Sequence, residues 1–279
     1  LSNSDFFTGA FPAEYGNALA GVFDMKLRSG NNEKRESTFQ AGLMGIDFAS
    51  EGPFVKGGKS SYLFNYRYST LDLISKMGLI PSEQIPRYQD LSFKLNFPTS
   101  KAGTFSIWGV GAIDNNTEPE DKDSVNWETD WDRTSYDWNI SMGAAGITHK
   151  ILLGSKTYLN TSLAASGTVN TMFGERYDDL LVLRPNWDFT DKSGRVGVNT
   201  FLNHKFSAKH TVRTGVNYSK ILYNIDLSST INDKPETFQN FVKQKGSSNY
   251  TEFYIQSKYS VTHNLTANTG VNFNYFALN

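Results

Sequence analysis

Apolar and polar residues alternate along most of this sequence, one on each side of an extended chain. In "SYLFNYRY" (61–68), Tyr62, Phe64, Tyr66 and Tyr68 occupy every second position, and Asn65 and Arg67 lie between them. A period of two places such residues on opposite faces of a β-strand. The pattern therefore predicts an all-β fold whose strands have one apolar face and one polar face.

The same alternation recurs in many segments. It is clear in "DLSFKLNF" (90–97), "TVRTGVNYS" (211–219) and "LTANTGVNFNYF" (265–276), and less regular in "YDWNISMGAAGITH" (136–149) and "SGRVGVNTFLNH" (193–204). Together with similar segments they predict about ten strands of roughly 10 residues, the length that crosses a bilayer when a strand is tilted. In such a barrel the aromatic stripe would face lipid, and Asn65 and Arg67 would face a wet lumen.

The predicted connections alternate between short and long. The turns "PTSKAG", "GSK", "SAKH" and "SVTHN" are short, whereas residues 113–134, 168–192 and 224–249 are predicted as long polar loops. Bacterial outer-membrane barrels have short turns on the periplasmic side and longer loops outside. A soluble β-sandwich is the alternative, since it also has alternating strands. An apolar strip running around the whole sheet would decide against the sandwich.

Composition excludes several classes of protein. The 279 residues contain no cysteine, which excludes a disulfide framework, a thiolate metal site and a cysteine nucleophile. The net charge of -1 gives no reason to expect a nucleic-acid partner. No segment approaches the ~18 consecutive apolar residues of a membrane-spanning helix. Because the first residues lack the basic start and apolar core of a signal peptide, we expect the chain to begin within a longer protein.

Candidate catalytic groups are few. The four histidines, His149, His204, His210 and His263, all fall at or beside predicted short turns, and no recognised nucleophile, metalloprotease or phosphate-binding motif accompanies them. We therefore expect no enzyme activity, no catalytic residue and no cofactor.

Two features of the predicted outer loops concern ligands. Residues 113–137 are rich in Asp and Glu, so a calcium site is conceivable, but the spacing does not match an EF-hand and a solvated loop is the preferred interpretation. We predict no metal site. Trp127, Trp131 and Trp187 are candidates for stacking on a sugar or peptide ligand; packing of the loops on one another is the alternative.

Two stretches resemble a known family. "GAFPAEYGNALAGVFDMKLRSG" (9–30) resembles the end of the plug domain of TonB-dependent outer-membrane transporters, in which a Pro-Ala-Glu-Tyr-Gly-like element leads through small residues to a strand. Residues 12–16 match that element, whereas residues 27–30 read Leu-Arg-Ser-Gly where the family usually has Thr-Lys-Ser-Gly. "EGPFVKGGKSSYLFNYRYSTLDL" (51–73) is similar to the first barrel hairpin of Bacteroidota members.

The resemblance implies a domain organisation. Residues 1–30 would be the C-terminal end of the plug, and residues 31–279 the N-terminal part of a transmembrane antiparallel β-barrel of roughly 22 strands. The charges predicted to point inward, Arg67, Lys94 and Arg213, would hold the plug, because a buried charge needs a partner. Glu14, near the end of the plug, is the expected partner for such a charge.

The resemblance also implies a function, which is TonB-dependent active transport of a nutrient ligand (an oligosaccharide, a peptide or a metal chelate) across the bacterial outer membrane. The implied partners are outer-membrane lipid, a TonB-type energy-coupling protein and a surface lipoprotein. A structural alternative stays open, in which the barrel is a scaffold and partner of a surface lipoprotein in a larger envelope complex.

Overall fold

The computed structural model describes residues 2, 4–42, 45–71, 74, 77–78, 87–231 and 234–278. Asp72 and Leu73, at the end of the second family-like stretch, lie outside the described residues, as do residues 232–233 of the third predicted loop. None of the described helical segments has the length and hydropathy needed to span a membrane.

The first part of the chain forms a small antiparallel sheet. Strands β1 (Asp5–Phe7) and β2 (Val22–Asp24) pair with Phe6 opposite Phe23. The connection between them contains a single 3-10 turn at Ala13–Tyr15, preceded by Pro12. Proline suits this position because it lacks the backbone N–H that would otherwise have no partner at the start of a helical turn.

The rest of the described chain forms one large antiparallel sheet, in which each strand pairs with its neighbours in sequence. Its strands are β3 (Glu36–Gly42), β4 (Gly45–Pro53), β5 (Ser61–Tyr68), β6 (Arg87–Pro98), β7 (Thr104–Glu118), β8 (Thr134–Leu152), β9 (Thr157–Tyr177), β10 (Leu183–Lys205), β11 (His210–Ile231), β12 (Lys234–Ser260) and β13 (Thr266–Leu278). The predicted all-β antiparallel fold is confirmed. The sheet is open, with β3 and β13 at its edges, and is consistent with a partial barrel.

Strand register sorts the side chains onto two faces, because residues directly opposite each other point to the same side of a sheet. Arg67 is opposite Asp90, and Asn217 is opposite Glu252. We call this polar side the inner face. Phe64 is opposite Phe93 on the other side, which we call the outer face.

The extent of the predicted long loops is wrong. Strand β9 continues to residue 177, and strand β10 begins at residue 183. Most of the predicted loop 168–192 is therefore a tall hairpin. Likewise the first long loop shrinks to residues 119–133, and β11 and β12 run through most of 224–249. The outer parts of these hairpins have polar residues on both faces, so the period-two signal fades although strand pairing continues. The short turns at 99–103, 153–156, 206–209 and 261–265 lie where the sequence places them.

The outer face is apolar and uncovered. Among the described residues, the buried hydrophobic side chains are those of Tyr250 and Tyr254, both on the inner face. On the outer face Ile147 is 49% exposed, Leu163 51% and Phe273 61%. Within the described residues no second sheet packs on this face. The sandwich alternative, which needs such a sheet, is therefore not what the structure shows.

Candidate functional site

Residues 12–31, which we call the N-terminal segment, run across the inner face of the large sheet. At one end the Asn272 side-chain amide of β13 donates a hydrogen bond to the carbonyl oxygen of Ala13 at 2.7 Å. At the other end Lys94 Nζ of β6 donates to the carbonyl oxygen of Leu27 at 2.8 Å. The segment thus bridges strands that are far apart in the sheet.

The N-terminal segment is also held by an ion pair. Arg213 Nη1 donates to both carboxylate oxygens of Glu14 at 2.5 and 2.6 Å, and the two side chains are 28% and 17% exposed. Gln256 adds a hydrogen bond from Nε2 to Glu14 Oε1 at 3.2 Å, and its own Oε1 accepts from the Glu14 backbone N–H at 3.3 Å. The Arg213 guanidinium also lies 4.7 Å from the centre of the Phe201 ring. Two partly buried charges are therefore compensated by each other.

A buried carboxylate, that of Glu252, helps to hold the segment through the Asn272 amide. Glu252 of β12 is 2% exposed and accepts hydrogen bonds from the amides of Asn217, at 2.5 Å, and Asn272. Because Asn272 also donates to Ala13, the Glu252 network orients one of the groups that holds the segment. The alternation pattern alone does not predict this network. Its only sequence signal is a Glu at an inward position between Tyr250 and Tyr254.

The other predicted inward cations have different partners. Arg67 Nε donates to Asp90 of the adjacent strand at 2.7 Å, so this pair lies within the sheet and does not reach the segment. Lys94 binds a backbone carbonyl of the segment and no carboxylate among the described residues. The structure therefore brings Arg213 and Lys94 to the N-terminal segment but not Arg67.

A second anchor was not predicted. Arg28 donates to both oxygens of Glu51 at 2.5 and 2.6 Å, and the Asn31 backbone N–H donates to the same carboxylate at 2.7 Å. A guanidinium can bind a carboxylate through two parallel hydrogen bonds, and Arg28 does so here.

Close approach of the segment to the sheet depends on glycine. A Cβ atom on Gly30 would lie 1.9 Å from the carbonyl oxygen of Tyr62, and one on Gly16 would lie 2.1 Å from the side chain of Asn272. No side chain fits at either position without displacing the backbone or the amide. These two glycines allow each end of the segment to lie directly on the strands.

Between the segment and the inner face is a pocket of about 450 Å³, whose walls include Tyr15, Trp108 and Arg195. Burial, together with the nearby carboxylates of Glu14 and Asp24, raises the pKa of the Tyr15 hydroxyl. Tyr15 therefore keeps its proton at physiological pH.

The predicted tryptophans lie at the outer ends of the strands. Trp131 and Trp187 rings are 5.6 Å apart, and Trp127 stacks on Tyr177 at 5.8 Å. Trp187 belongs to β10 and not to a loop, which corrects its predicted location. These contacts pack residues 119–133 against the β9–β10 hairpin, while Trp131 keeps 63% of its surface exposed. A ligand-binding role stays a prediction.

Charged groups hold the same outer region together. Arg133 pairs with Asp130 at 2.6 Å and with Asp179 of the neighbouring hairpin at 3.1 Å. Asp132 accepts from the backbone N–H groups of Glu128 and Thr129, and these hydrogen bonds lower its pKa. Asp130, Asp132 and Asp179 thus have structural partners. Within the described part of the chain, no group of three or more His, Asp or Glu side chains is placed to hold a metal ion.

The histidines lie at the end of the sheet with the short turns. His149 is hydrogen-bonded to the Ala102 carbonyl, His204 to Thr157, and His210 to Ser257. His263 lies in the β12–β13 turn beside Asn264. Each imidazole therefore serves a local contact near a strand end.

The fold and these contacts define an all-β protein in which a short N-terminal segment is fixed to the polar face of one open antiparallel sheet. Comparison with models of known families finds no match to the sequence, and no curated protein matches it significantly. What the protein does must therefore be argued from its own residues.

Proposed function

We propose that this chain forms the end of the plug and the first part of the barrel of a TonB-dependent transporter of the bacterial outer membrane. One observation carries the proposal: the large sheet exposes an apolar outer face, and its polar inner face binds the N-terminal segment. An open sheet with one apolar side is stable only where something covers that side, and a bilayer does so without any protein partner.

The sizes agree with this proposal. A strand of ~10 residues crosses the apolar layer when tilted, and β6 to β13 contain 12 to 27 residues. Burying apolar surface contributes roughly 25 cal/mol per Å², so an exposed face of this extent would be unfavourable in water. The surplus length of the longest strands would extend beyond the outer leaflet as the tall hairpins.

The contacts of the N-terminal segment suit a plug that must be released. They are ion pairs and hydrogen bonds, such as Glu14 with Arg213 and Arg28 with Glu51, and water can replace them as the segment moves. In the proposed mechanism a TonB-type protein uses the proton-motive force to displace part of the plug. The ligand then passes through the opened lumen, and no bond is made or broken.

Ligand capture would occur at the outer ends of the hairpins. Trp131 is exposed there beside Trp187, and an exposed indole face stacks well on a sugar ring or a peptide. The proposed cargo is an oligosaccharide, a peptide or a metal chelate. A surface lipoprotein that covers the same hairpins is the further proposed partner.

The test is uptake in the native bacterium with and without the complete gene. Cells are given labelled oligosaccharides, peptides and iron chelates, each with and without a protonophore that collapses the proton-motive force. We expect one class of solute to require both the gene and the proton-motive force. The wild-type outer membrane must first be shown to contain the protein. If deletion of the gene then leaves the uptake of every class of solute unchanged, transport is refuted and the scaffold is favoured.

A further inference from the structure

An apolar groove of about 890 Å³ lies on the outer face. Its volume is within the ~300–1,000 Å³ range of specific ligand sites. Its walls include Leu91 and Ile113 on one side and Leu222 on the other. A smaller groove of about 420 Å³ continues from it past Phe93. The two share residues of β6 to β9, so they form one continuous depression.

The register of the strands explains the groove. Gly111, Gly143, Gly167 and Gly194 lie directly opposite one another on β7 to β10. Each points to the outer face, where a Cβ atom would meet nothing closer than 3.3 Å. The backbone is therefore exposed between taller side chains on β6 and β11.

Two cations lie together at one end of this groove. Lys192 of β10 and Lys245 of β12 are both opposite Asn224 of β11, so their Cα atoms are separated by two strand spacings, about 10 Å. Both side chains are exposed and line the groove. In the described part of the chain neither has a carboxylate within ion-pair distance, whereas the nearby Asp226 pairs with Lys243 at 3.2 Å.

We propose that the groove binds one anionic phospholipid of the surrounding bilayer, with an acyl chain along the glycines and the phosphate between Lys192 and Lys245. Two like charges at this spacing repel each other unless an anion lies between them. The apolar groove is complementary to an acyl chain, and the two lysines are complementary to a phosphate. A phospholipid matches both, whereas a hydrocarbon or a free phosphate matches only one. This inference rests on the proposed membrane location, because it assumes that lipid reaches the outer face.

The experiment uses the complete protein in nanodiscs made from equal amounts of dimyristoyl phosphatidylglycerol and dimyristoyl phosphatidylcholine. After extraction into mild detergent, native mass spectrometry counts the lipids retained by each molecule. We expect phosphatidylglycerol to be retained about tenfold over phosphatidylcholine, because each lysine near an anionic headgroup contributes about 1 kcal/mol. The preference should fall as salt is raised.

Three variants separate the parts of the site. K192Q/K245Q should lose the preference for phosphatidylglycerol, and G111V/G194V should lose retention of both lipids because the added methyl groups fill the groove. The matched control K101Q/K209Q removes two exposed lysines from the short turns at the opposite end of the sheet and should behave as wild type.

If the protein inserts into the nanodiscs, either of two results would overturn the lipid site: equal retention of the two lipids by the wild type, or a preference that survives in K192Q/K245Q. The proposed function would still stand. A protein that does not insert into the nanodiscs would overturn both the lipid site and the proposed function.

Discussion

At the scale of single residues, the contact between Glu14 and Arg213 joins parts of the chain that are 199 positions apart. Ordering the N-terminal segment on the sheet costs conformational entropy at every residue. A charge-assisted contact to a half-buried guanidinium offsets part of that cost, because the alternative leaves Arg213 desolvated and unpaired. The ion pair is therefore expected to decide how often this end of the segment detaches.

Replacing Glu14 by Gln should loosen the segment by about 2 kcal/mol, or roughly thirtyfold in the opening equilibrium, since a hydrogen bond to a charged group contributes about 1.5–3 kcal/mol. Hydrogen exchange of the backbone amides of residues 13–17 measures this change in the opening equilibrium. R213Q should have a similar effect, and the double variant should be less than additive. The control is K34Q, which breaks the well-exposed Lys34–Glu36 pair and should change nothing there.

Gly30 tests the other end of the segment. In G30A the new methyl group would overlap the Tyr62 carbonyl, so residues 27–31 must move away from the sheet and lose the contacts of Arg28 and Lys94. We expect a loss of about 1–3 kcal/mol, as for other overpacked sites, and faster exchange in residues 27–31. In G9A the methyl group meets no atom within 4 Å. Equal behaviour of the two variants would contradict the close approach.

At the scale of elements, the sequence predicts the strands best where each has an apolar and a polar face. The alternation of β6 and β13 is regular, and both strands are found where it indicates. It fails at the outer ends of β9 and β10, because polar and apolar residues there are mixed on both faces while the cross-strand pairing continues. For this reason the sequence pattern places Trp187 in a loop, whereas it lies in β10.

The site could be predicted only in part. Alternation places Arg67, Lys94 and Arg213 on one face, which the structure confirms through their cross-strand partners. Which of them meets Glu14 depends on the path of the N-terminal segment over the sheet, and no local period encodes that path. Arg67 already has Asp90 opposite it on β6, so it needs no partner from the segment.

The loop of residues 119–133 should loosen in acid. Hydrogen bonds from Thr129 and Glu128 hold the pKa of Asp132 below its ordinary value of about 3.9. A lowered pKa means that the carboxylate stabilises the loop fully above that ordinary value and loses its effect as the pH falls through the lower, folded-state value. Trypsin cleavage after Lys122 should therefore be slow at pH 7, and acrylamide quenching of tryptophan fluorescence should rise below about pH 4.

Substitution of Asp132 checks the cause of this effect. D132N should be cleaved faster than wild type at pH 7, because an amide oxygen is a weaker acceptor for the two backbone N–H groups. E128Q removes one negative charge from the same loop but keeps these hydrogen bonds. If E128Q is cleaved as fast as D132N, net charge and not the Asp132 contacts controls the loop.

At the scale of the whole molecule, the two faces of the sheet need different surroundings. Strand β8 offers a matched pair, because Ile147 on the outer face is 49% exposed and Met142 on the inner face is 52% exposed. In water alone the two positions would tolerate a charge about equally. In a bilayer they would not, because only the outer face contacts acyl chains.

I147R should therefore be destabilised in phospholipid vesicles, by about 2–4 kcal/mol if the position lies near the middle of the bilayer. M142R should remain close to wild type, because in the proposed barrel its guanidinium would enter a wet lumen. Urea unfolding of the complete protein in vesicles measures both changes, and the yield in outer-membrane fractions gives an independent reading. If M142R loses as much stability as I147R, the inner face is dry and packed, and the assignment of the two faces to lipid and lumen is wrong.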